Sequence, residues 1–115
     1  MNGNWREAAL RCLPGHGELI QESESLGDFW MDIGPRFGAP ILAPEDGEVR
    51  EGIWAFTRWS ILESEDRDIA NASYCHFLEH LRAFGPGVQD WIRTGPGRAE
   101  VDRLIAAAER LWLGS

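Results

Sequence analysis

The most specific chemical spacing in this sequence is His76-Phe77-Leu78-Glu79-His80. On a helix, residues four apart share a face. His76 and His80 could therefore hold one Zn²⁺, with Glu79 as general base for a hydrolysis. Such a centre needs a third ligand, and the downstream candidates, Glu100 and Glu109, belong to a separate helix. Helical angles also set Glu79 away from the apolar face and put His80 beside Ile69 and Ser73, where a ring packs and makes one hydrogen bond. Cys75 adjoins His76, but neighbouring helix residues point about 100° apart, which defeats a Cys–His nucleophile pair. His16 lies in a Pro-Gly-His-Gly turn, and no serine has a G-x-S-x-G setting. Every basic residue is arginine, so lysine nucleophiles, Schiff bases and the P-loop lysine are excluded. The expectation is a protein without catalytic residues, resident metal or cofactor.

The carboxylates are the stronger candidates. Net charge is −8, concentrated in the first 60% of the chain. Residues 18–32 carry Glu18, Glu22, Glu24, Asp28 and Asp32 with no base, and residues 45–68 carry eight acids against Arg50, Arg58 and Arg67. Residues 69–115 balance five acids with five arginines. Acids in the first turn of a helix are explained by the macrodipole, each stabilising by about 0.3–1 kcal/mol. That accounts for Glu45, Glu48, Glu65 and Asp66. It leaves Glu63, at a helix C-terminus where a carboxylate is unfavourable, and the base-free 18–32 segment. An acidic surface repels phosphates and speeds association with a basic partner, so direct nucleic-acid binding is not expected. The candidate partner-binding set is Glu22, Glu24, Asp28, Trp30, Asp32, Glu63, Glu65, Asp66 and Asp68, with Trp30 as an aromatic anchor inside an acidic rim.

These residues need a scaffold, and hydrophobic spacing predicts a helical one. Asn4 caps a helix over Trp5–Leu13 that Pro14-Gly15 ends. A second runs from about Glu18 to Ile33, where Leu26, Phe29, Trp30 and Ile33 recur at i, i+3, i+4 and i+7. Gly34-Pro35 stops it, and a loop extends to Pro40. Asp46-Gly47 within Ile41–Val49 could turn a hairpin. Pro44 followed by Glu45, Asp46 and Glu48 instead favours a helix start, and helix is the choice. This helix carries Val49, Ile53, Phe56 and Ser60 as its main stripe, and Arg58 opposite should reach solvent or a carboxylate. Ser64 caps the next, whose face joins Ile69, Ala70, Ser73, Phe77, Leu81 and Phe84 up to Gly85-Pro86-Gly87. Val88–Arg93 forms one or two turns. The last helix holds Val101, Leu104, Ile105, Ala108, Leu111 and Trp112, with Glu100 and Arg103 paired outside. No segment alternates as a strand does.

The 115 residues suit one domain, 1–115, with an expected radius of gyration of about 13 Å. The fold class is all-α, a single-domain bundle of five to six helices. With 43% apolar residues and six tryptophans the chain can bury a core unaided. Cys12 and Cys75 read as small reduced core residues. The absence of an apolar run near 20 residues and of a basic, apolar start predicts no membrane span and a cytoplasmic protein.

Gly52-Ile53-Trp54-Ala55-Phe56-Thr57-Arg58-Trp59, Leu62-Glu63-Ser64-Glu65-Asp66, Ile69-Ala70-Asn71-Ala72 and Phe77-Leu78-Glu79-His80-Leu81, followed by the Gly85-Pro86 break, together form a recognisable pattern. It resembles small acidic all-helical bacterial proteins of uncharacterised families, some of them immunity-like partners of secreted toxins. The resemblance spans about residues 47–87. It implies protein binding, assigns Phe77-Leu78-Glu79 to the fold and makes the H-x-x-E-H spacing coincidental. The expected function is an immunity protein that occludes the basic active surface of a toxin or effector. The alternatives are a phage-type DNA mimic that blocks a nucleic-acid enzyme, and a zinc-dependent enzyme at His76, Glu79 and His80.

Overall fold

Phe29, Trp30, Ile33 and Phe37 lie along one side of a single helix, and much of the chain packs against that side. The computed structural model describes residues 5–39 and 42–113; the Asn4 cap, Ile41 and the Trp112 side chain lie outside the described residues. The order is α1 (Trp5–Cys12), a 3₁₀ turn (Pro14–His16), α2 (Gly17–Glu22), α3 (Leu26–Gly38), α4 (Pro44–Leu62), α5 (Arg67–His76), a 3₁₀ segment (Leu78–Ala83), α6 (Pro86–Thr94) and α7 (Arg98–Leu113). The all-helical expectation holds for the described residues, and the Cα radius of gyration is 13.4 Å. There are seven α-helices among them, not five or six, because the predicted Glu18–Ile33 helix is broken in two.

The break at Ser23-Glu24-Ser25 has local and distant causes. The Ser25 hydroxyl accepts from the Asp28 amide at 3.2 Å and starts α3 as its N-cap. Arg6, from α1, donates to the Ser23 carbonyl at 2.6 Å, occupying an acceptor that a continuous helix would use. At its other end α3 continues past the expected Gly34-Pro35 stop to Gly38. Proline removes the bond to the carbonyl four residues back, here Met31. Both residues are exposed, so water can take that bond. The α3 C-terminus is closed by Arg50 of α4, itself 4% exposed. Its guanidinium donates to the carbonyls of Phe37 at 2.8 Å and Ala39 at 2.6 Å, and sits 5.5 Å from the Phe37 ring centroid. A buried cation is thereby matched to the negative end of a helix.

The α4 start is as expected: Pro44 stands at the first position, and the Asp46 carboxylate accepts from the amides of Leu42 at 2.9 Å and Ala43 at 3.0 Å. Arg58 finds a carboxylate, donating to Glu100 at 2.7 Å, while the Trp54 indole donates to the same oxygen at 3.2 Å. Glu100 thus ties α4 to α7 in place of the expected outward pairing with Arg103. The predicted 64–84 helix also breaks. α5 ends at His76, and Phe77 (φ −132°, ψ −66°) leaves the helical path before the 3₁₀ segment.

Phe77 leaves it to enter the core. Its ring stacks on Trp30, centroids 5.0 Å apart and planes 13° apart, and meets Phe37 edge-on at 4.9 Å. Trp30 also stacks on Phe56 at 5.5 Å, and Phe56 on Trp59 at 5.8 Å. Pairs of this kind contribute about 0.5–1.5 kcal/mol each beyond their buried area. Trp30 is 1% exposed, and its indole N–H donates to the Ser73 hydroxyl of α5 at 3.1 Å. The buried hydroxyls of Thr57, Ser60 and Ser64 donate to carbonyls one turn back. Every buried side-chain polar atom among the described residues has a partner.

Ser73→Ala should cost about 1–3 kcal/mol, since it strands a buried indole donor without opening a large cavity. Chemical denaturation measures this, and a loss near zero would contradict the assigned bond. His16 gives a pH prediction. Its Nε2 lies 3.3 Å from an Arg36 nitrogen, and burial, then the Arg36 charge, push its pKa below the ordinary histidine value. The folded state therefore binds this proton less readily than the unfolded chain. Its contribution is complete above the unfolded pKa, about 6.5, and is lost as pH falls toward the folded value. The denaturation midpoint should fall between about pH 7.5 and 5.5, and His16→Gln should flatten that slope.

Candidate functional site

The core stripe of α3 fixes what its opposite face presents. With Leu26, Phe29, Trp30, Ile33 and Phe37 turned inward, about 100° per residue leaves Asp28, Met31, Asp32 and Pro35 outward. All four are exposed, and Met31 is 68% exposed. An exposed apolar side chain beside two carboxylates is what the sequence reading sought in Trp30. The Trp30 assignment is corrected: its ring is fully enclosed by Phe29, Phe56 and Phe77, so it supports the ridge from beneath. The signal for Met31 was available, because it lies about 140° from the centre of the apolar stripe.

The second acidic segment reaches the same end of the molecule. Arg50 and Trp54 of α4 meet Phe37, whereas Phe56 meets Phe29 and Trp30, so α3 and α4 run antiparallel. The C-terminus of α4, with Glu63, therefore lies toward the N-terminus of α3, with Glu22 and Glu24 just before it. Glu22, Glu24, Asp28, Asp32, Glu63, Glu65 and Asp68 are all exposed. Arg6 anchors the Ser23-Glu24 connection from behind through main-chain carbonyls.

Asp66 differs from the others. It, not Ser64, is the N-cap of α5, its carboxylate accepting from the amides of Asp68 at 2.9 Å and Ile69 at 3.3 Å. Ser64 instead donates to the Ser60 carbonyl at 2.6 Å and accepts from the Asp66 amide at 3.2 Å, closing the turn. Between them Glu65 adopts φ +57°, the left-handed region, at the tip of the α4–α5 turn. That conformation costs a non-glycine residue roughly 1–2 kcal/mol, so an exposed glutamate is held here against its backbone preference.

The histidine pair loses its shared face. His76 is the last residue of α5 and His80 belongs to the 3₁₀ segment, so the i, i+4 register of one α-helix does not join them. Both are exposed. Among the described residues no group of three or more His, Cys, Asp and Glu side chains converges as a metal ion requires. Cys12 and Cys75 are free, half-buried thiols. Burial, opposed by Arg11 and Arg58, pushes the Cys12 pKa up and keeps it protonated. Cys75 Sγ lies 3.5 Å from the Asn71 side-chain oxygen.

Two concavities lie among the described residues. A shallow groove of about 440 Å³ runs between α4 and the α6–α7 turn, past Glu51, Trp54, Arg58, Trp91 and Pro96. A cleft of about 350 Å³ is formed by α5, the second 3₁₀ segment, α6 and α7. Sequence reasoning missed this cleft. Its clearest signal was on α7, where Arg98, Val101, Asp102, Ile105 and Glu109 recur at 0, 3, 4, 7 and 11, mixing charged and apolar residues on one stripe.

Glu65→Gly should raise stability by up to about 1 kcal/mol by relieving the positive φ, whereas Asp66→Ala should lower it by about 0.5–2 kcal/mol by removing the α5 cap. Thermal or urea denaturation separates the two. A destabilised Glu65→Gly would mean that the glutamate side chain makes a stabilising contact of its own.

In comparisons with known proteins, no family model matches the chain, and no curated protein or solved structure is significantly similar to it.

Proposed function

We propose that this protein is a binding module that captures a basic protein partner on the α3 ridge and the α4–α5 turn. The observation that carries the reading is Met31, an exposed apolar side chain beside Asp28 and Asp32 on the outer face of a rigidly seated helix. An apolar centre with a charged rim is the usual anatomy of a protein interface, and methionine adapts its shape to a partner. Carboxylates around it pair with Arg or Lys of the partner and accelerate encounter more than they deepen affinity. Binding by occlusion needs no catalytic group, only a scaffold that presents its surface without rearranging. The resemblance of residues 47–87 to immunity-like proteins supports an inhibitor of a basic toxin or effector as the specific form of this activity.

The test is affinity capture from the native cell lysate at low and moderate salt, using wild-type protein and two charge-reversed variants. Wild type should retain a stoichiometric basic protein that is released at moderate salt. Replacing Glu22, Glu24, Asp28 and Asp32 by Lys should abolish retention. Replacing Glu63, Glu65 and Asp68 by Lys should slow association by about tenfold at low salt. Met31→Ala should shorten the lifetime of the complex without changing its salt dependence. Equal retention of the same proteins by wild type and by the α3 variant would refute the reading.

A further inference from the structure

The cleft between α5, the second 3₁₀ segment, α6 and α7 is independent of the α3 ridge and supports a separate activity. Its floor is apolar. Leu78 and Ile92 are 2% and 5% exposed, while Val101 and half-buried Ile105 come from α7. Among the described side chains, its rim carries Glu79, Asp102 and Glu109 with the guanidinium of Arg98, and Tyr74 stands among them. The volume of about 350 Å³ lies at the small end of the range for small-molecule sites. We propose that this cleft binds a small organic cation, an ammonium group attached to a compact apolar body.

The apolar body fits over Leu78, Val101 and Ile105, where it displaces water from hydrocarbon. The ammonium lies at the rim, where Glu79, Glu109 and Tyr74 line the cleft together. Burial first, then the negative charges of Glu109 and Glu79, push the Tyr74 phenol above its usual range. The protonated phenol presents oxygen lone pairs to an N–H donor. An anion would be repelled by three carboxylates, and a neutral ligand would gain no attraction from them. A bare metal ion matches poorly, because these carboxylates line a rim and do not converge on a point. The α7 stripe supplies part of the floor and part of the rim, Val101 and Ile105 below and Arg98, Asp102 and Glu109 above.

The experiment is an NMR titration of the intact chain with three ammonium probes of increasing apolar bulk: butylammonium, cyclohexylammonium and 2-phenylethylammonium. The alcohol 2-phenylethanol and the anion 3-phenylpropanoate serve as comparisons. At least one ammonium probe should give saturable shifts at Tyr74, Val101 and Ile105, with affinity about tenfold or more above that of the alcohol. Glu109→Gln and Glu79→Gln should each weaken it about three- to tenfold, with thermal denaturation confirming that both variants fold. Ile105→Trp, which fills the cleft, should abolish the shifts. Failure of all three ammonium probes to saturate would overturn the proposal. So would an alcohol or carboxylate that binds as tightly, or shifts confined to residues 22–32.

Discussion

A tryptophan buried at the centre of a small helical protein must place its one hydrogen-bond donor, and the rest of this fold follows from how Trp30 does so. The indole N–H points at the Ser73 hydroxyl of α5, 3.1 Å away, while the ring lies between Phe56 of α4 and Phe77 at the end of α5. Two stacked faces and one directional bond fix the rotation of α3 about its axis. Turning α3 by a single residue, about 100°, would leave the indole unpaired and, in one sense of rotation, bring Asp28 and Asp32 toward the aromatic core. The outward position of Asp28, Met31 and Asp32 is therefore set from inside the protein. The Arg50 guanidinium, bound to the carbonyls of Phe37 and Ala39, completes the constraint by fixing where α3 ends.

This arrangement separates two kinds of surface. The α3 ridge and the α4–α5 turn carry carboxylates on convex ground, suited to another protein. The cleft beside α7 is concave and apolar-floored, suited to a small molecule. They draw largely on different helices, α3 and α4 for the first and α6 and α7 for the second, with α5 common to both. Changes on one need not disturb the other, because additivity holds for sites that share no partners. Within the ridge the carboxylates divide by role. Asp66 uses one carboxylate oxygen, Oδ1, to accept from two α5 amides, and Glu65 sits in a strained conformation at the tip. Asp28 and Asp32 stand free of any cap of that kind on the solvent face.

Helix content, the α3 and α7 faces, the Pro44 start and the reach of Arg58 for a carboxylate were legible in the sequence because each depends on local spacing. What was not legible depended on distant residues. The break at 23–25 involves Arg6, seventeen residues earlier. The break at Phe77 comes where that ring stacks on Trp30 of α3, forty-seven residues earlier. Ser64 and Asp66 are both good caps, and only the turn geometry decides between them. The H-x-x-E-H spacing failed for the same reason: helical register was assumed to run through Phe77, whose packing ends it. Trp30 was misplaced because neighbouring acids suggested a surface residue, although its i, i+3, i+4 partners placed it in the core stripe.

The claim that joins fold to function is that α3 presents a preformed acidic and apolar ridge to a basic partner. The most direct measurement is NMR mapping of the captured partner's footprint, following backbone amides and the Trp30 indole on isotopically labelled protein. The account predicts perturbed amides across residues 22–35 and 62–68, with the indole resonance still protected from solvent exchange. A footprint on α6 and α7 with residues 22–35 silent, or a Trp30 indole that becomes exposed on binding, would contradict it.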